Sequence, residues 1–258
     1  VYTMIPLLDG IRFPEGLDET QGRLYHATYL ANFSFFAWGF PTWLQNIASR
    51  CPYQDVRATL IEDCVDEEVG DVDAGGRCHV DVLYDEAEAC GIPREQIAKM
   101  EATPILKTAI NGLENLSRSL RWESSFAAVA GLEMGQSAPA VEMRNALMMK
   151  VLTPEQIAAS RSGRDADSLA KRTGLRPDQL QFAALHEYKD QIHGGGELAL
   201  IIKYGVSLEV QEEMLWAARA ACEMYSVMRM EVDRLARAAV GLEPVRFPGM
   251  RSERFASI

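Results

Sequence analysis

The feature that most restricts how this chain can fold is the stretch SLEVQEEMLWAARAACEMYSVMRMEVDRLARAAVG, opening at Ser207. Its apolar residues recur at the three-and-four spacing of one helix face. Ser207 is of the type whose hydroxyl caps the free N–H groups of a first helical turn. A helix of that length needs other helices to cover its apolar stripe, and the remaining sequence supplies them. From about residue 19 the pattern is helical: ETQGRLYHATYLANFSFFAWGFPTWLQNIASRC is a long helix or helix pair, with an interruption expected near Gly39 and Pro41. DVRATLIEDCVDEEVG, RCHVDVLYDEAEACGI ending at Gly91, PREQIAKM, TPILKTAINGLENLSRSL, ESSFAAVAGLEMGQSAPAVEMRNALMMKVL and TPEQIAASR follow. SRSGRDADSLAKRTG reads as a polar connection with a short helix, and RPDQLQFAALHEYKDQIHGGGELALIIKYG as a helix opening at Pro177 and loosened at Gly194–Gly196. Period-two alternation, internal repeats and low-complexity tracts are all missing. The expectation is an all-α chain of about seven helices forming one domain over 1–258, with 1–18 irregular and 241–258 a mobile tail.

Composition narrows the function. The net charge of −11 and the lack of a basic stripe argue against nucleic acid as a partner. No apolar run is long enough to span a membrane. VYTMIPLLDGIRFPEG lacks the basic and apolar regions of a leader, so a cytoplasmic location is expected. The five cysteines, at 51, 64, 78, 90 and 222, form no CxxC pair, which disfavours a structural zinc site or a disulfide framework.

Two of only four histidines fall in LHEYKDQIHGGGELAL. On a helix, steps of four and seven residues rotate by roughly 40° and −20°, so His186, Asp190 and His193 share a face. The ordinary alternative is a solvated helix face. Against it stand Phe182, Leu185 and Ile192 on the same helix, and a further histidine, His79, preceded by Asp66, Glu67, Glu68, Asp71 and Asp73. Glu68, eleven residues before His79, would lie about 20° from its face on an unbroken helix, and Glu67 about 120°. That favours Glu68 unless Gly75-Gly76 breaks the helix; most of the other acids read as solvated. Glu133, alone in the apolar FAAVAGLEMG, must be paired, protonated or metal-bound if buried; Glu123 and Glu142 have more polar surroundings. Imidazoles with carboxylates and no thiolate suit iron or manganese, and their number suits a dinuclear site.

These motifs resemble the heme-oxygenase-like diiron oxidases and oxygenases, which are related in fold to thiaminase II and the pyrroloquinoline quinone synthesis oxidase. HEYKDQIH matches the family's HxxxDxxH at every ligand position, CHVDVLYDEAEACGI is similar to its His-bearing helix, and EEVG and AGLEMG are similar to its Glu-bearing segments. The resemblance covers roughly residues 20–235. It implies a seven-helix heme-oxygenase-like bundle, with one iron held by Glu68, His79 and His186, a second by Asp190 and His193, and Glu133 between them. It further implies O2 as cosubstrate and a small carboxylate-bearing substrate, an amino acid or derivative before a fatty acid. The outcome would be hydrogen abstraction, C–C cleavage or N-oxygenation in a biosynthetic pathway. An external electron donor and a homodimer stay open. A carboxylate needs a cationic grip, for which Lys203, Arg121 and Arg144 are candidates, each with a surface role as the alternative. The aromatics of NFSFFAWGFPTW are expected to pack the core, and His26 to lie outside the metal set. The rivals are a metal-free thiaminase II-like hydrolase with a cysteine nucleophile, a heme enzyme using His26, and a non-catalytic iron-binding helical protein.

Overall fold

The chain was described by a computed structural model that covers residues 12–134 and 166–245; within these, the side chains of 133–134, 187–188 and 190–195 are not described. Helix α1 (Glu19–Ala48) is the axis of the fold. Asp18 starts it with a reciprocal cap: its carboxylate accepts from the Gln21 amide at 2.9 Å, and Gln21 Oε1 accepts from the Asp18 amide at 3.2 Å. The expected interruption near Gly39 and Pro41 does not occur. Pro41 lies inside the helix, where it removes one amide donor, and Gly39 lets the Trp43 indole lie flat on the backbone, 2.9 Å from where a Cβ would stand. Tyr25, Tyr29, Phe36, Phe40, Trp43, Leu44 and Ile47 bury one broad face, so tertiary packing outweighs the local penalty.

Around α1 pack α2 (Gln54–Glu68), α3 (His79–Ala89), α5 (Pro104–Ser119), α6 (Trp122–Met134), the short α7 (Ala166–Thr173) and α9 (Leu208–Ala239), while the short α4 (Arg94–Ile97) packs on α3, and α8 (Gln181–Tyr204) on α6, α3 and α2. Among the described residues, seven of these run to 11 residues or more, and α4, α7 and a 3-10 turn at Pro177–Gln179 make up the rest. Ser207 caps α9 as expected, accepting from the Val210 amide at 3.2 Å. Gly91, at φ +105°, follows the end of α3 in the left-handed region that glycine tolerates. Pro177 opens the 3-10 turn and not α8, which starts four residues later; α8 then runs through Gly194–Gly196 without a break, supported by α6, α3 and α2.

The core has two parts. The larger lies between α1, α5, α6 and α9 and includes Trp43, Leu44, Leu113, Phe126, Met228 and Val232. The smaller joins α1, α3 and α8 through Leu30, Val82, Leu83, Tyr84, Phe182 and Leu185. Of the aromatic run on α1, Phe36, Phe40 and Trp43 are buried, whereas Trp38 is exposed and its indole N–H donates to the Tyr84 hydroxyl at 2.6 Å. No described helix is long and apolar enough to cross a membrane.

Candidate metal centre

Beside the smaller core, the chain leaves α2 at Glu68 and re-enters α3 at His79 through a tight loop. The loop is closed by a bridge between Asp71 and Arg77, with the Asp71 amide donating to the Arg77 carbonyl at 3.0 Å and the Gly76 amide donating to the Asp71 carbonyl at 2.7 Å. Gly75 and Gly76 turn the chain at φ +69° and +81°, conformations that L side chains rarely adopt. The loop breaks the helical register between α2 and α3. The 20° argument for Glu68 therefore fails: Glu68 points to solvent, and Glu67 is the residue brought to His79.

His79 is 2% exposed and both its ring nitrogens face carboxylates, Nδ1 against Glu67 Oε1 and Nε2 against Asp71 Oδ2, each at 2.9 Å. Burial alone would lower the imidazole pKa, but the Glu67 and Asp71 carboxylates outweigh it and lift the ring to about 9. Asp71 is fully buried; desolvation opposes its charge, yet His79, the Asp73 amide and Lys189 together hold its carboxyl below the ordinary range. Lys189, from α8, reaches Asp66 at 3.0 Å and Asp71 and Asp73 at 3.1 Å. It is 9% exposed, and although burial disfavours its charge, these three acids raise its pKa.

His186 completes the cluster. Its ring centroid is 5.0 Å from that of His79 and 4.1 Å from that of Phe182. Nδ1 lies 2.9 Å from the Phe182 carbonyl, which can only accept, so Nδ1 carries the proton and Nε2 the lone pair. Desolvation first, and the His79 charge second, lower its pKa, keeping the ring neutral. One ligand atom each from Glu67, His79 and His186 lie within 4.8 Å of one another.

The start of α8 is fixed from outside. Leu180 offers no capping side chain, so Glu86 of α3 caps in its place: Oε2 accepts from the Phe182 and Ala183 amides at 2.9 and 3.2 Å. Its other oxygen accepts from His26 Nε2 at 2.7 Å. His26 thus stands outside the cluster but positions the helix that carries it.

The remaining expected ligands follow the backbone. Asp190 and His193 continue α8 beyond His186, and Glu133 sits near the end of α6, which packs on α8. Their side chains lie outside the described ones. Arg144 and Glu142 lie outside the described residues, and Glu123 is in the first turn of α6, away from the cluster. Lys203 and Arg121 do not face the cluster. Lys203 Nζ pairs with Asp55 at 2.7 Å, and Arg121 pairs with Glu209 and Glu213 at 2.9 and 2.7 Å, all near the surface. Asp71 and Lys189 were not picked out from sequence; Lys189, one helical turn past His186, was the available clue. All five cysteines are free thiols whose pKa burial raises, to about 12 for Cys64 and Cys90.

Comparison with known proteins gives the family and the fold. The profile of a family described as iron-containing redox enzymes matches residues 27–226. A 4-aminobenzoate synthase of Nitrosomonas europaea is 40% identical over 58 residues, a match spanning 22% of this chain and 24% of that protein. A domain of unknown function from Shewanella denitrificans with a heme oxygenase-like fold superposes with a TM-score of 0.61 at 10% identity, covering 88% of this chain and 84% of that one. The fold here is therefore heme oxygenase-like.

Proposed function

The chain belongs to the family of iron-containing redox enzymes, and from that premise we propose that it is an O2-dependent diiron oxidase or oxygenase acting on a small carboxylate-bearing molecule. The observation that carries this is the convergence of Glu67, His79 and His186 on one point, where His79 is buried and the other two are half-buried. The donors fit iron. They are nitrogen and oxygen atoms without thiolate, one imidazole is neutral with its lone pair directed away from a hydrogen-bonded Nδ1, and carboxylates are in excess. Glu67, His79 through its Glu67-facing Nδ1, and His186 through Nε2 would hold one ion. Asp190 and His193, following on the same helix, would hold the second, with Glu133 between.

Bound iron supplies the electrons and the Lewis acidity for O2 chemistry at a substrate C–H, C–C or N–H bond. The protein's own residues do the rest. His79 gives up its Nδ1 proton and keeps Nε2–H on Asp71, which fixes the ring's orientation. Lys189 offsets part of the charge of Asp66, Asp71 and Asp73 and ties α8 to the loop. The Phe182 carbonyl holds the tautomer of His186 while its ring shields one side from water.

An amino acid or amino acid derivative is the preferred substrate; the 4-aminobenzoate in the name of the Nitrosomonas protein is itself an amino carboxylate. A fatty acid is the runner-up. An external electron donor, and a second copy of the chain, are compatible with this chemistry. A thiaminase II-like hydrolase is disfavoured because its nucleophile needs a lowered thiol pKa, and burial raises all five here. The test is anaerobic Fe(II) loading followed by metal counting and O2 consumption across amino acids and fatty acids. Two irons per chain and O2 uptake stimulated by an amino acid derivative are expected. No iron bound would overturn the reading; iron without O2 uptake would make the protein an iron binder.

A further inference from the structure

Arg229, on α9, is 9% exposed and forms no ion pair with a carboxylate among the described residues. Its Nε donates to the Tyr29 hydroxyl at 3.1 Å, and its Cζ lies 5.7 Å from the centroid of the Tyr225 ring. The acids nearest along the helix are committed elsewhere: Glu231 to Arg234 and Thr103, and Asp233 to Arg237 and Tyr25. Neither Nη has an acceptor among the described residues, and neither is among the polar atoms sealed off without a partner. A guanidinium taken out of water is costly, and here the Tyr29 and Tyr225 rings outweigh burial and keep it charged. Two parallel Nη–H groups are the fork that matches a carboxylate.

The location gives this cation a purpose. Tyr29 stacks on Phe33 at 6.1 Å, Phe33 meets Phe182 edge-on at 6.3 Å, and Phe182 lies against His186 at 4.1 Å. On the other side, Tyr225 contacts Phe36 at 5.0 Å, and Phe36 contacts Phe33 at 5.2 Å. Three aromatic rings in series, Tyr29, Phe33 and Phe182, therefore lead from Arg229 to the cluster.

We propose that Arg229 is the anchor for the substrate's carboxylate, gripping it across this run of rings from the His79–His186 centre. This rests on the function proposed above and narrows its substrate class. The acid group and the reacting atom must be separated by an apolar body that spans this run of rings. An aromatic carboxylate or a chain oxidised far from its acid group fits; reaction at the carbon next to the carboxylate does not.

The test uses the full chain without metal, with benzoate and hexanoate as probes and benzamide and hexanamide as their neutral counterparts, followed by calorimetry and thermal melting. The acids should bind roughly ten- to hundredfold more tightly than the amides. Arg229→Met should erase that preference while still giving a cooperative melt, since an apolar side chain of similar length fills the same space. Should the methionine variant fail to fold, Arg229→Lys carries the test: the loss of the planar fork should cut the preference about tenfold. A parent chain that does not prefer the acids, or either variant retaining the full preference, would overturn the anchor. Iron loading of the same samples separates the two proposals. A chain that prefers acids through Arg229 but takes up no iron keeps the anchor and loses the oxidase; one that takes up iron with no preference loses the anchor alone.

Discussion

The two ends of the run of aromatic rings handle buried cations in opposite ways. At one end, His79 and Lys189 are surrounded by Asp66, Glu67, Asp71 and Asp73, so negative charge is in surplus. At the other, Arg229 faces tyrosines. Among the described residues, neither end is balanced. The acid-rich end is built to receive further positive charge, and the guanidinium end to receive an anion. Buried charge left unmatched marks a place for a partner, and on the proposed reading the two partners have opposite signs.

The largest effects should come from the acid-rich end. Glu67→Ala or His186→Ala should reduce iron affinity by more than the roughly 10–100-fold typical of residues that only orient a ligand. Glu68→Ala should leave iron uptake close to the parent, because Glu68 is exposed. Equal losses from Glu67→Ala and Glu68→Ala in metal titrations would show that the loop, and not a ligand, had been disturbed.

Asp71→Asn comes next. It keeps the shape but removes the charge that orients His79 and pairs with Lys189, so iron affinity should fall about 10–100-fold. The same pair predicts a pH dependence in the metal-free chain. The folded pKa of His79 is raised from 6.5 to about 9, so its contribution to stability is complete below about 6.5 and is lost as pH rises through 9. Melting temperature should decline across that window in the parent and less so in Asp71→Asn; parallel curves would contradict the assignment. Glu86→Ala is expected to act through α8, leaving the Phe182 and Ala183 amides and His26 without their acceptor. A loss of about 1–3 kcal/mol per stranded buried group is the usual scale. Faster hydrogen exchange at those two amides should accompany it, and an unchanged exchange rate would count against the cap.

How much of this the sequence carried depends on how local each feature is. The Asp18 and Ser207 caps, Gly91 after α3, and the shared helix of His186, Asp190 and His193 are set within a turn or two of chain, and helical spacing exposes them. Continuity of α1 past Pro41 was hidden, because the compensation comes from packing across the whole helix. Glu67 was hidden because the register between α2 and α3 is set by a loop. Asp71, Lys189 and Glu86 acquire their roles from partners on other elements. Arg229 left a trace: it shares a helical face with the buried Cys222, Ser226, Val232 and Ala236, and a charge on such a face is a buried one.

The smallest effects should come from the two surface cations first considered for the carboxylate. Lys203 meets Asp55 with the two side chains 59% and 40% exposed, and Arg121 meets Glu209 with 37% and 81%. Water and salt screen such pairs, and holding long side chains in place offsets much of their attraction. Lys203 and Tyr204 lower the Asp55 carboxyl to about 2, which is a folded-state depression. Its contribution is therefore present above the ordinary carboxylate value of about 4 and disappears only as pH falls towards 2, well below any working pH. Lys203→Ala and Arg121→Ala should accordingly melt close to the parent at neutral pH, and both should retain the preference for benzoate over benzamide that Arg229→Met loses. If instead either surface variant abolished that preference and Arg229→Met did not, the anion-binding end of the molecule would lie on its surface, and the contrast between a surplus of acids and a lone buried guanidinium would no longer describe the site.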